Sequence, residues 1–145
     1  MKFGTWLVVW LILLASSTVC AADLLEVAAP WIRDAPPSAA MRAGYVRLSN
    51  AGAQAIEIVG ASSEDFGRVE MHRTIIKDGV SRMSELPSVV IPAGGSFVFE
   101  PGAAHFMLMR PTRRLQLGDR CRITLRYKNA AAQTLTFNVA RAPTA

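Results

Sequence analysis

The chain has 145 residues, of which 51% are hydrophobic and 19% charged, with a formal net charge of +5. This length is enough for one domain with a substantial hydrophobic core. The arginines are scattered and form no basic block interleaved with aromatic residues, so the composition disfavours a nucleic-acid-binding protein. The mild positive charge fits either docking to an acidic partner or an ordinary solvated surface.

The N-terminal segment has the three-part layout of a secretory signal peptide. Lys2 precedes an apolar run of ten residues from Trp6 to Ala15, and small residues then continue as far as Ala22. This run is too short for a membrane-spanning helix, which needs roughly 20 apolar residues. The pattern therefore predicts export rather than a permanent transmembrane anchor.

We expect residues 1–22 to be a cleaved signal peptide and residues 23–145 to form a single β-sandwich domain with no membrane span. An uncleaved N-terminal anchor is one alternative to this interpretation. Attachment of a lipid to Cys20 is another, although Val19 is a poor residue to precede a lipidated cysteine.

Processing would leave one cysteine, Cys121, and a net charge of +4 from 15 basic and 11 acidic side chains. A single cysteine cannot form an internal disulfide, so burial of apolar side chains must supply the stability. Blue-copper electron-transfer sites need two histidines and a cysteine thiolate. Because Cys121 alternates with polar residues on the apolar face of a predicted strand, we assign it to the core and exclude that class of protein.

Short segments that alternate between apolar and polar residues dominate the rest of the chain, separated by turns rich in Gly, Pro, Asn and Asp. A period of two is typical of half-buried strands, and no helix-length apolar stripe is present. Many short strands predict an all-β sandwich or barrel of eight or nine strands. In chain order the predicted strands are 24–29, 44–50, 55–62, 68–77, 80–86, 96–100, 105–109, 121–127 and 134–140.

The segment VEMHRTIIKDGVSRMSEL predicts a β-hairpin, because Asp78-Gly79 between two alternating runs is a strong signal for a two-residue turn. A turn at this point places His72 and Met83 on one face as diagonal neighbours. Met71 points to the opposite face. The expected cross-strand pairs are Lys77 with Val80, Thr74 with Met83 and His72 with Glu85.

The segment GAAHFMLMRP carries a second group of possible metal ligands. On a strand, His105, Met107 and Met109 share one face, while Phe106 and Leu108 lie on the other. Together with the hairpin, these side chains complete a four-ligand site if the two segments are adjacent in space. The sequence leaves that adjacency open.

Two imidazoles and two thioethers form a selective set of donors. Thioether sulfur is soft and neutral and suits Cu(I), and imidazole binds copper readily. Zinc would be expected to recruit thiolate, carboxylate or additional histidine. Taken singly, a methionine on a strand is usually a core residue and a lone histidine is usually a hydrogen-bonded one. Both histidines of the chain, however, fall within this one pattern.

The spacing resembles the full signature of the periplasmic copper(I) chaperone family PCuAC. His72, ten residues, Met83, twenty-one residues, His105, one residue and Met107 follow in that order. The segments APWIRDAPPSAAMRAGYVRLSNAG and IPAGGSFVFEPGAAHFMLM are similar to the opening and the second ligand segment of that family. The resemblance implies a cupredoxin-like Greek-key β-sandwich in the periplasm, with an accessible Cu(I) site whose ligands are His72, Met83, His105 and Met107.

The resemblance also implies a function. Members of this family are associated with delivery of copper to the binuclear copper subunit of cytochrome c oxidase, so the expected partner is that subunit or another copper chaperone. The alternative is copper sequestration for tolerance, without a dedicated acceptor. We do not expect an enzyme, because the sequence offers no Ser-His-acid set, no phosphate-binding loop and no paired carboxylates with an evident purpose.

The chain departs from the family pattern directly after its second ligand segment. The sequence MRPTRRL stands where the family usually has Gly-Leu after the methionine. We expect Arg110, Arg113 and Arg114 to add positive charge near the mouth of the site, which bears on the choice of partner rather than on metal binding.

Four further residues near the proposed ligands have roles that the sequence leaves open. Met71 and Met109 are assigned to the core or to the surroundings of the ligands. Glu70 and Glu85 flank His72 on the hairpin, and a solvated salt bridge to Arg73 or Arg82 is the expected role of each carboxylate. Orientation of the His72 imidazole by one of them is the alternative.

Overall fold

The computed structural model describes residues 24–142, so the expected signal peptide and Cys20 lie outside the described residues. Residues 24–142 form ten β-strands and no helix, which confirms the all-β prediction. Accordingly, this part of the chain contains no helix able to cross a membrane. The strands are β1 (Glu26–Arg33), β2 (Met41–Ser49), β3 (Ile56–Ser62), β4 (Phe66–Lys77), β5 (Val80–Glu85), β6 (Val89–Ile91), β7 (Ser96–Phe99), β8 (Ala104–Pro111), β9 (Arg120–Tyr127) and β10 (Gln133–Ala140).

The strands follow the order β5-β4-β8-β2-β1-β10-β9-β3-β6, and β7 pairs with β2. Strands β7 and β8 both lie along the same edge of β2. The first residues of β2 pair with β8, and its last residues pair with β7. Strands β1 and β10 are parallel, and the other paired strands are antiparallel. Strands β2 and β3, like β3 and β4, are consecutive in sequence but are not neighbours in this order, as in Greek-key connections.

One hydrophobic core holds the strands together. Strand β9 buries every second residue, as the alternation in CRITLRY predicts. In β8, Phe106 and Leu108 are completely buried, and the Phe106 ring stacks on Phe99 with their centroids 4.2 Å apart. The Phe106 ring also meets Phe137 edge to face. Strand β5 contributes nothing to this core, because all six of its residues are exposed.

The largest departures from the sequence prediction are at β1 and β6, while β2 begins three residues before its predicted start and β8 ends two residues after its predicted end. Strand β1 continues to Arg33, four residues beyond the predicted end at Ala29. A register shift between Ala28 and Trp31, with Ala29 at φ 49°, interrupts the alternation and hides the continuation of the strand. Strand β6 was not predicted, because its three residues are too few to display a period.

The β4–β5 hairpin has the predicted register. Asp78 and Gly79 both have positive φ, 53° and 74°, as a two-residue type I′ turn requires. His72 is opposite Glu85, Thr74 is opposite Met83, and Lys77 is opposite Val80. Because β5 is the last strand in the order, the hairpin forms one edge of the structure.

Candidate metal centre

The pairing of β4 with β8 brings the two donor segments together. His72 lies directly opposite His105 in this antiparallel pair, and their ring centroids are 6.0 Å apart at an interplanar angle of 43°. On its other side, β4 pairs with β5, which places Met83 diagonally from His72. Met107 follows His105 on the same face of β8. The four predicted ligands therefore share one face of three adjacent strands.

Three of the four predicted ligands line one cavity of about 210 Å³: Met83, His105 and Met107. His72 does not line this cavity and lies beside it, next to His105. The depth of the donors differs, since His105 is 6% exposed and Met83 is 52% exposed. Met107 is half-buried and lies between these extremes. The site thus has a buried imidazole at one end and an accessible thioether at the other.

The two nitrogens of His72 have different surroundings. Its Nε2 lies 2.8 Å from Glu70 Oε2, and the carboxylate can only accept, so Nε2 carries the proton and donates. Its Nδ1 is buried and has no hydrogen-bond partner within residues 24–142. A buried nitrogen without a partner is costly unless something binds it. Its unshared electron pair is therefore available to a metal ion.

His105 is held in a complementary way. Its Nδ1–H donates to the carbonyl oxygen of Ala103 at 3.3 Å, which leaves Nε2 as the nitrogen with a free electron pair. Burial lowers the pKa of His105, and the nearby His72 lowers it further, although the bond to Ala103 opposes both effects. The imidazole is therefore neutral at pH 7, which is the form that binds metal.

Glu70 rather than Glu85 is the carboxylate that orients His72. The hydrogen bond from His72 lowers the pKa of Glu70, and the positive charge of Arg68, which pairs with the same carboxylate, lowers it further. Glu85 lies opposite His72 in the register but is exposed. A ligand imidazole commonly donates its second nitrogen to a carboxylate or carbonyl, and Glu70 and Ala103 have this relation to the two histidines.

The cavity has lining residues that the sequence analysis did not single out: Arg33, Ala35, Met41, Arg42 and Ala43. Of these, Met41 is a further thioether, and it is 57% exposed. The signal that would have found it is the register, since β2 pairs with β8 at Met41–Met109 and Ala43–Met107. That pairing joins segments more than 60 residues apart and is not evident from local patterns.

The arginines beside the cavity are not the ones that the sequence suggested. Arg33 and Arg42 line it, whereas Arg110, Arg113 and Arg114 do not. Arg113 is directed to Asp65 and Asp119, with a distance of 3.0 Å to the latter. Carboxylates of Asp65 and Asp119 thus engage Arg113 away from the cavity lining, and the expectation that Arg110, Arg113 and Arg114 add positive charge near the mouth of the site stays a prediction.

The remaining sulfur-containing residues lie away from the cavity lining. Met71 is a core residue with 3% exposure, and Met109 is half-buried opposite Met41. Cys121 is completely buried, and burial raises the pKa of its thiol to about 11. Cys121 is thus a protonated core residue, and it supplies no thiolate to the cavity.

The donor set itself tests which metal the site fits. Residues 24–142 contain no group of three or more His, Cys, Asp and Glu side chains that could hold a metal ion. A site on this face therefore depends on the thioethers in addition to the imidazoles. Thioether and imidazole donors fit a soft monovalent ion far better than zinc, calcium or magnesium.

Comparison with known proteins identifies the family. The chain matches the sequence profile of the family described as "Putative lipoprotein LpqE-like" over residues 25–139. The chain belongs to this LpqE-like family. A relative from Leifsonia xyli subsp. xyli, named "Putative lipoprotein Lxx21020", is 30% identical over 119 residues, which are 81% of this chain and 70% of the relative. A Rickettsia prowazekii relative, "Uncharacterized protein RP573", is 30% identical over 115 residues, which are 77% of this chain and 64% of the relative.

Solved structures show which fold this LpqE-like chain adopts. The copper-bound PCuAC domain from PmoF2 superposes with a TM-score of 0.67 at 20% identity, over 83% of this chain and 95% of that domain. The apo form of DR1885 from Deinococcus radiodurans has a TM-score of 0.65 at 25% identity, over 97% of this chain and 95% of that one. The CuI form of DR1885 has a TM-score of 0.64 at the same 25% identity, over 88% of this chain and 84% of that one. These neighbours confirm the resemblance to PCuAC and the cupredoxin-like Greek-key β-sandwich.

Proposed function

We propose that this protein is a copper chaperone that holds one Cu(I) ion through His72, Met83, His105 and Met107. The observation that carries the proposal is the state of the two imidazoles, each of which has one nitrogen tied to an acceptor and the other nitrogen free. The free Nδ1 of His72 is buried without a partner. A metal ion between the two rings satisfies this nitrogen and uses the thioethers that line the adjacent cavity.

The oxidation state follows from the donors. Four neutral ligands leave the charge of the bound ion uncompensated, which is least costly for a monovalent ion. Thioether sulfur is a soft donor and prefers Cu(I). The CuI form of DR1885, which has the same fold at 25% identity, supports this assignment.

In this proposal the copper is cargo rather than a catalytic centre. Met83 is half exposed on an edge strand, so an incoming donor can displace its sulfur without unfolding the site. Release then occurs by stepwise ligand exchange to an acceptor with higher affinity. Following the PCuAC resemblance, we infer that this acceptor is the copper subunit of cytochrome c oxidase or another copper chaperone.

We further propose that the protein is exported through residues 1–22 and acts in the periplasm as the single domain 23–145. Export is supported by the signal-peptide pattern and by relatives named as putative lipoproteins. Those names also give weight to lipid attachment at Cys20. The intact mass of the processed protein distinguishes the outcomes, because cleavage at residue 22 removes Cys20 whereas a lipoprotein retains it with added acyl mass.

Anaerobic Cu(I) titration of the processed protein tests the site. We expect a stoichiometry of one copper per chain in the wild type and strongly reduced affinity in the variants His105→Ala and Met83→Ala. Met71→Leu is the matched control, because Met71 is a core methionine on the opposite face of β4. An unchanged affinity in either ligand variant removes that residue from the site.

A separate experiment tests delivery. Copper-loaded protein is mixed with the apo form of an oxidase copper domain, and the metal content of each is measured after separation. Movement of copper to the oxidase domain supports delivery. Retention by the loaded protein, despite a higher affinity of the acceptor, favours the alternative of copper sequestration for tolerance.

A further inference from the structure

Met41 is an exposed thioether at the mouth of the cavity that contains three of the four proposed copper ligands. Its side chain is 57% exposed, close to the 52% exposure of Met83. Both side chains line the same cavity as His105 and Met107. These two are the exposed methionines of residues 24–142, and both lie at this cavity.

The register of β2 against β8 explains how Met41 reaches the site. Ala43 is directly opposite Met107, and Met41 is opposite Met109. Met41 and Met107 are therefore diagonal neighbours on one face, with backbones about 7–8 Å apart, within reach of long side chains. Ala43 has the small side chain at the intervening position, and it leaves open the space that a larger residue would fill.

An exposed methionine at this position gains little from burial. An unbranched thioether has three rotatable bonds and can move between alternative partners. Met109 is directly opposite Met41 on β8, but it is half-buried and does not line the cavity. Of these two paired methionines, only Met41 is exposed at the cavity.

We propose that Met41 is an additional copper-binding side chain, an exchange ligand that binds Cu(I) when one of the other donors leaves. This inference rests on the proposed function, since it requires that the site binds Cu(I). In the exchange step a bond forms between the Met41 sulfur and copper as the bond from Met83 breaks. No proton or electron is transferred, because both thioethers are neutral and copper remains Cu(I).

Methyl NMR of methionine-labelled protein tests the proposal directly. One equivalent of Cu(I) is added anaerobically, and each methyl resonance is assigned by a Met→Leu variant. In the wild type we expect the Met83 and Met107 methyls to shift strongly and the Met41 methyl to shift less, because Met41 binds copper only while another donor is displaced; those of Met71 and Met109 should remain in place. In the Met83→Leu protein the shift of Met41 increases, because Met41 then replaces the missing sulfur.

The outcomes separate this inference from the proposed function. If Met83 and Met107 shift but Met41 stays unchanged in both the wild type and Met83→Leu, the role of Met41 is refuted and the copper site stands. If no methionine resonance moves while Cu(I) is present in excess, the proposed function itself fails.

Transfer kinetics provide a second measurement. Leucine has nearly the same size as methionine and lacks the sulfur, so Met41→Leu removes the donor with little change in packing. We expect transfer of Cu(I) from Met41→Leu to a coloured chelator to be about tenfold slower than from the wild type, the scale typical of losing one supporting interaction at a metal site. Met109→Leu is the matched control and should transfer at the wild-type rate. Equal rates for Met41→Leu and the wild type, with equal melting temperatures, would overturn the proposal.

Discussion

Strand β8 and the β4–β5 hairpin each supply two of the proposed copper ligands, but their surroundings are opposite in character. Strand β8 lies between β4 and β2, and its reverse face buries Phe106 and Leu108 completely. The hairpin ends in an edge strand with no buried residue, and Ile76 near its tip is 72% exposed. Such an edge opens locally at a low free-energy cost, whereas a central strand opens only with the whole domain. The difference suits a site that holds copper from a rigid side and releases it from a movable one.

The largest expected effect comes from removing the support behind β8. Phe106→Ala deletes a ring that packs on Phe99 and Phe137, and it should lower the free energy of unfolding by about 3–5 kcal/mol. Ile76→Ala, at the exposed tip of the hairpin, should change it by about 0.5 kcal/mol or less. Urea unfolding of the copper-free proteins measures both. Similar losses in the two variants would show that the hairpin shares the core stability of β8.

The next largest effect concerns the carboxylate that orients the hairpin histidine. Glu70→Ala removes the acceptor for Nε2–H of His72, so that the free nitrogen no longer has a fixed direction. We expect Cu(I) affinity, measured by competition with a chelator, to fall by about 10- to 100-fold. Glu85→Ala is the control on the facing strand and should bind nearly as the wild type does. An equal loss in both variants would point to general charge around the site rather than to orientation of His72.

A smaller effect is expected from a matched pair of turn glycines. Gly79 and Gly102 have φ of 74° and 82°, and an added Cβ would meet no atom within 4 Å at either position. Alanine at each therefore costs only backbone strain, about 1 kcal/mol, or roughly fivefold in a local opening equilibrium.

The two alanine variants should differ in which part of the structure this backbone strain destabilises. Gly79→Ala should accelerate amide hydrogen exchange in β5, because the strain falls on the hairpin turn. Gly102→Ala, in the turn before β8, should lower the free energy of unfolding and leave β5 exchange unchanged. If both variants accelerate amide hydrogen exchange in β5 equally, the hairpin does not open independently of the rest of the domain.

The smallest effect is expected at the thiol, which belongs to neither region. Cys121→Ala should leave Cu(I) affinity unchanged, since Cys121 lies in the core and does not line the cavity. Burial raises the pKa of this thiol from 9.0 to about 11, so the folded protein disfavours the thiolate. The stabilising contribution is complete below pH 9.0 and is lost as the pH rises toward about 11. Thiol labelling at pH 8 should therefore be slow until urea is added, and rapid labelling of the native protein would contradict this placement.

Individual strands show why some parts of this fold can be predicted from the sequence. The Asp78-Gly79 turn fixed the hairpin register in advance, because the turn and its flanking alternation are local. Strand β9 is also predicted correctly from local sequence, since its apolar residues alternate with polar ones and every second residue is buried. The predicted strand β1 is too short, because the register shift near Ala29 interrupts the alternation of apolar and polar residues from which strands are predicted. Strand β6 was missed because three residues display no period.

The candidate site divides in the same way. The period of two predicted which side chains share a face within β8 and within the hairpin. The spacing of the four candidate ligands along the chain resembles that of the PCuAC family. The alternation did not show that Glu70 rather than Glu85 accepts the hydrogen bond from His72, since both carboxylates are neighbours of His72 on the same face of the predicted hairpin. It also gave no indication of Met41, which reaches the cavity only through the pairing of β2 with β8.

By itself, then, the sequence determined the strand periodicity, the hairpin register and the assignment of Cys121 to the core, and it supplied the candidate donors. Each of these depends on residues close together in the chain, where alternation and turn geometry act directly. Only the tertiary structure decided that His72 faces His105 and that Met41 joins the cavity. Those neighbours come from strand pairings between distant segments, which the packing of the whole core selects and no local pattern encodes.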